Sequence, residues 1–140
     1  MTLEPRDEPA GGPPVPERAP PASRMTPEPM DEARLADLLA VMDPDRLGAH
    51  VAGLRAALDG LAGAGAPPLP EAAETDAWTG LGRRAHAAAG HAQLLGFPGL
   101  GRLLNALEAS AKQADARAAG LALAALRAQL DAGAPRLPPL

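Results

Sequence analysis

The chain has 140 residues, no cysteine and a formal net charge of −4. One domain fits that length, the missing thiols exclude disulfides and thiolate metal sites, and the acidic balance argues against non-specific nucleic-acid binding. With one Trp, one Phe and no Tyr, a core must come from leucine and alanine, which leaves little for an aromatic-lined ligand pocket or a base-stacking platform.

Residues 1–28 are broken by prolines from Pro5 to Pro27 among charged and small residues. Such a segment has little to bury and is expected to be a disordered, partly extended tail. It is acidic and proline-broken at its start, unlike a secretory signal. No apolar run approaches the roughly 20 residues of a membrane span. The expected location is the cytoplasm, without membrane association.

A helical bundle is expected over 29–133. The first helix is predicted from Pro29 to Val41, with Leu35, Leu38, Leu39 and Met42 on its apolar face and Asp31 and Glu32 at its start. Asp43-Pro44 is a restart signal, a capping carboxylate followed by proline at the first helical position. The second helix then runs to Leu61, with Leu47, Val51, Leu54, Leu58 and Leu61 at helical spacing. His50 borders that stripe and is read as a boundary residue.

Gly63 to Pro70 is a loop. The third helix is predicted from Glu71 to Leu95, with Gly96 as its C-cap and Trp78 as a core anchor. The fourth runs from Pro98 to Gln113 and turns Leu100, Leu103, Leu104 and Leu107 inward. The fifth runs from Asp115 to Asp131, with Leu123, Leu126 and Leu130 on one face and Gly133 as its stop. Residues 134–140 are expected to be a short loose tail. No segment shows period-two alternation rich in β-branched residues. The predicted fold is all-α: an antiparallel four-helix bundle with a short N-terminal capping helix.

The third helix carries the candidate chemistry. At about 100° per residue, Trp78, Leu81, Ala85, Ala88, Ala92 and Leu95 gather opposite His86 as a buried stripe. Gly82, Gly90 and Gln93 fall on the His86 side, and Arg83 lies on its flank. His86 should therefore face solvent in a patch of small residues. Gly90 costs up to about 1 kcal/mol relative to alanine in a helix. One reason to keep it is to leave the imidazole open to another protein. His91 borders the buried stripe and points about 140° away from His86. The two cannot share a metal ion, and no metal site is expected.

His86-x-x-x-Gly90, then Leu95-Gly96, then Leu100, Leu103, Leu104, Leu107 and Glu108 resembles the histidine-containing phosphotransfer (HPt) domains of multistep phosphorelays. The resemblance is sharpest over residues 82 to 108. It implies that His86 accepts a phosphoryl group and passes it between response-regulator receiver domains. It also implies that the receiver supplies the aspartate and the Mg²⁺, so the chain needs no cofactor and is a phosphoryl carrier rather than an autonomous catalyst. A receiver domain, a hybrid histidine kinase or both are the implied partners, met by a monomer. The family's lysine three residues after the histidine is Ala89 here, its leucine two after is Ala88, and His91 stands where a small residue is usual. Arg83, one turn before His86, is the candidate source of the missing charge. Two other readings remain at this point. One is an HPt-like adaptor that binds a receiver or kinase without being phosphorylated. The other is a structural bundle in which His86 is incidental.

Overall fold

Three helices begin behind a capping aspartate. The computed structural model describes residues 26–140, and the expected tail over 1–25 lies outside the described residues. Asp31 caps α1 (Glu32–Leu39), accepting from the backbone N–H of Ala33 and Arg34. Asp43 caps α2 (Pro44–Ala62), with Pro44 at its first position and the Arg46 N–H on its carboxylate at 2.8 Å. Asp115 caps α5 (Ala116–Asp131) through the Ala118 N–H. Between α2 and α5 lie α3 (Thr75–Leu94) and α4 (Pro98–Lys112). No strand occurs among the described residues.

Two helix starts differ from the sequence expectation. The first helix begins at Glu32 rather than Pro29, because Asp31 takes the capping geometry and Met30 turns into the core. The third begins at Thr75 rather than Glu71. Residues 71–74 form a turn in which the Glu74 side chain accepts from the Glu71 N–H. Trp78 Nε1 donates to the Glu71 carbonyl at 3.0 Å, which ties that turn to the helix. Trp78 is buried as a core anchor.

Helices α2 to α5 close a ring: α2 meets α3, α3 meets α4, α4 meets α5 and α5 returns to α2. The short α1 touches α2 outside that ring. The α3–α4 interface is the most extensive. Its register reads antiparallel, with Gly82 facing Ala111, His86 facing Glu108 and Gln93 lying over Gly101. The core is leucine and alanine throughout, with Phe97 and Trp78 at the two ends of α3. Burying leucines supplies about 1.5–3 kcal/mol each before entropy is counted.

The α3–α4 turn is closed from inside. Gly96 has φ +89°, a left-handed conformation that glycine adopts without strain. An added Cβ there would sit 2.9 Å from Arg34 Cβ, so α1 also needs the space. The Gly96 carbonyl accepts from the Asp31 N–H at 2.8 Å. Glu28 caps α4 from 71 residues away: its carboxylate accepts from the Gly99 N–H at 2.6 Å and from the Leu100 N–H at 2.8 Å. Its own N–H donates to Gln129 Oε1 at 2.9 Å. The expected boundary between residues 28 and 29 therefore falls inside an anchored strap. Residues 26–30 belong to the folded unit because the first N–H groups of α4 have no helical partner of their own.

The C-terminal segment is also anchored, in place of the loose tail expected over 134–140. Ala134 and Pro135 are fully buried, and Leu137 packs on the core beside Gly48. The Ala134 N–H donates to the Gln129 carbonyl, and Arg55 of α2 donates to the Gly133 carbonyl at 3.2 Å. The apolar content of this segment completes a core that has few large side chains.

Candidate functional site

The predicted inner stripe of α3 is buried in full: Trp78, Leu81, Ala85, Ala88, Ala92 and Leu95. His86 lies opposite, with 75% of its side chain exposed. Its ring is held on one side only. His86 Nδ1 lies 3.1 Å from Glu108 Oε1, across the α3–α4 contact. The other Glu108 oxygen lies 3.2 Å from Lys112 Nζ, one turn further along α4. Glu108 is the most enclosed of the three, with 17% of its side chain exposed.

This geometry assigns the tautomer. The hydrogen bond from His86 is the main influence holding the Glu108 carboxyl below its ordinary value; burial opposes it, and Lys112 adds to it. Glu108 is therefore ionised near neutral pH and can only accept hydrogen bonds. Nδ1 must carry the hydrogen, so in the neutral ring the lone pair sits on Nε2. Nε2 has no partner among the described residues and is free to meet an external group.

Beside the ring runs an open groove of about 560 Å³. Trp78, Gly82 and Ala111 contribute apolar surface to it, and Arg83, His86, Glu108 and Lys112 contribute the polar groups. Gly82 lines the groove from a buried position. An added Cβ there would lie 3.5 Å from Ala111 Cβ, so its small size serves the close approach of α3 and α4. Gly90 is the reverse case: it is exposed, and an added Cβ would meet nothing within 4 Å. Nothing among the described residues requires glycine at that position. Gln93 shares the His86 face but lies over Gly101, outside the groove. Arg83 lines the groove and makes no ion pair or hydrogen bond among the described residues.

Two residues of the site escaped the sequence reading. Glu108 was visible only as the end of a pattern, and Lys112 not at all. The available signal was the Glu-to-Lys spacing of four on α4, which places both on one helix face. What that face meets depends on the α3–α4 register. The position of the missing lysine is also informative. Ala89 is 3% exposed and sits in the core cluster, so this stretch of α3 is turned toward its neighbours rather than toward His86.

His91 has different surroundings. It is half-buried, and its ring stands edge-on to His50 of α2, with centroids 6.2 Å apart. Burial first, and the positive charge His50 can carry second, push its pKa down. No group of three or more His, Cys, Asp or Glu residues able to hold a metal ion occurs among the described residues. No helix of the described residues is long and apolar enough to cross a membrane. Compared with protein-family models, curated proteins and solved structures, the chain matches none.

Proposed function

We propose that the protein is an HPt-type phosphoryl carrier of two-component signalling. His86 Nε2 accepts a phosphoryl group from the aspartyl phosphate of a receiver domain and returns it to another. The single observation that carries this reading is the exposed His86 ring fixed through Nδ1 by the ionised Glu108. In the transfer, the Nε2 lone pair forms the N–P bond, the acyl O–P bond breaks, and the aspartate carboxylate leaves. The ring gains positive charge as the bond forms. Glu108 accepts its Nδ1–H throughout and stabilises that charge, as a carboxylate does for a catalytic imidazolium. The same pairing keeps the phosphorylated ring a good leaving group for the return step.

The open side of α3 supports docking of a protein of some size. Gly90 leaves the approach to the ring clear, and it costs helix stability with no packing contact among the described residues in return. The receiver brings the Mg²⁺ and the reacting aspartate. This chain brings the nucleophile and its orientation, and acts as a cytoplasmic monomer. A hybrid histidine kinase can serve as the source of the phosphorylated receiver.

The test is incubation with phosphorylated receiver domains. Acid-labile, base-stable phosphate should appear on His86. His86→Gln should accept none while its helical circular-dichroism signal stays unchanged, and His91→Gln should still accept. Complex formation with a receiver and no phosphate on His86 would favour the adaptor reading. Full transfer to His86→Gln would remove the proposal.

A further inference from the structure

The groove beside His86 differs from the rest of the chain in charge. Two cations, Arg83 and Lys112, and one carboxylate, Glu108, are the charged residues that line it. The chain as a whole carries −4. The Glu108 charge is already engaged by His86 at 3.1 Å and by Lys112 at 3.2 Å. Arg83 is unpaired among the described residues, and the Lys112 side chain is 70% exposed and can turn toward a second anion. A guanidinium and an ammonium lining the same groove as an exposed imidazole make a receptor for phosphoryl oxygens.

We infer that this groove binds small phosphodonors, compounds carrying an N–P or acyl-phosphate bond, and that His86 takes the phosphoryl group from them directly, without a receiver. The inference rests on the reading of His86 as phosphoacceptor and adds a second source of phosphate to it. Phosphoramidate reacts with its nitrogen already protonated: the Nε2 lone pair attacks phosphorus, the N–P bond of the donor breaks, and its electron pair leaves with the nitrogen as neutral ammonia. Arg83 and Lys112 hold the non-bridging oxygens as charge moves to the leaving group. No metal ion or oxidant enters the balance. Glu108 keeps the Nδ1 proton away from the reacting nitrogen.

The experiment uses the full chain with phosphoramidate, in chelator and without any receiver. Phosphohistidine is followed by ³¹P NMR and by its acid lability, and receiver-driven transfer is measured in parallel. His86 should become phosphorylated, and His86→Gln should not. Arg83→Ala and Lys112→Ala should each slow the small-donor reaction by about tenfold, near 1.4 kcal/mol of barrier. Arg127→Ala, remote on α5, should leave the rate unchanged. Transfer from a receiver without any from phosphoramidate would overturn this inference alone. Equal rates for wild type, Arg83→Ala and Lys112→Ala would also overturn it, by removing the groove from the reaction. No phosphate on His86 from either source would overturn both readings.

Discussion

The α3–α4 pair has two ends, and they treat their polar groups in opposite ways. At the turn end, Glu28 caps α4, Asp31 bonds the Gly96 carbonyl, and the backbone donors are answered from inside the chain. At the open end, among the described residues, the His86 ring has one nitrogen held and one free, and Arg83 has no partner. The difference separates stability from function. The turn end uses polar chemistry to close the fold. The open end leaves groups without partners among the described residues, and the proposed function assigns them to an external phosphate or protein.

That comparison would break most clearly at Ala89. The sequence reading offers Ala89 as the place where a lysine could restore phosphoryl binding. The burial of Ala89 between helices changes that expectation. Ala89→Lys inserts a long charged chain into a packed contact, where overpacking alone costs about 1–3 kcal/mol. We expect a melting temperature lower by roughly ten degrees, and no gain in phosphohistidine lifetime. A variant that melts like wild type and holds phosphate longer would show that the ammonium escapes to the His86 face.

Glu108→Gln tests the open end. A neutral amide can bond Nδ1 in either tautomer and cannot balance a cationic ring. Phosphoryl acceptance from a receiver should slow by at least about tenfold, while thermal stability changes little. A rate equal to wild type would detach Glu108 from the chemistry. The carboxylate also has a signature in acid. Its folded pKa lies below its ordinary value, so its contribution to stability is present above that value and is lost as pH falls through the folded one.

Glu28 tests the turn end, and the readouts should exchange. Glu28→Ala removes a carboxylate from the first turn of α4, and such caps are worth about 1 kcal/mol. The melting temperature should drop by roughly 4–8 °C, with phosphoryl acceptance unchanged. A chain beginning at Pro29 should melt lower than one beginning at Thr26 by a similar amount. Equal melting of those two chains would return residues 26–28 to the tail.

The two ends were not equally legible. Helix boundaries that depend on neighbours in sequence could be read directly: Asp43 before Pro44, Asp115 before α5, and Gly96 after the end of α3. So could the inner stripe of α3, because its period needs only the helix itself. Contacts between distant segments could not. Glu28 reaches Gly99 across 71 residues, and no local pattern announces that. Gly82 reads as part of the His86 face from the helix alone, and its role in the close approach of α3 and α4 depends on Ala111 lying opposite. His86 was found from its pattern, while its partner Glu108 required the register of two helices.

The smallest effect separates the two histidines of α3. His86 faces a carboxylate, and His91 faces His50 of α2 from a half-buried position. Both causes of the lowered His91 pKa disfavour its protonated form in the folded state. Above its ordinary value of 6.5, His91 is neutral whether folded or unfolded and contributes no pH dependence. As pH falls through that value, the unfolded chain binds a proton that the folded chain resists, and stability declines. The decline ends once pH passes below the folded value, where both states are protonated. Titrating denaturant midpoints from pH 8 downward should show this slope begin near the ordinary histidine value, well above the acid range where Glu108 acts. His91→Gln should flatten it, and His50→Gln should reduce it less, because burial outweighs the charge of His50. An unchanged slope in His91→Gln would mean that the half-buried imidazole is protonated as easily in the bundle as in the unfolded chain. The contrast between the two rings would then rest on exposure alone.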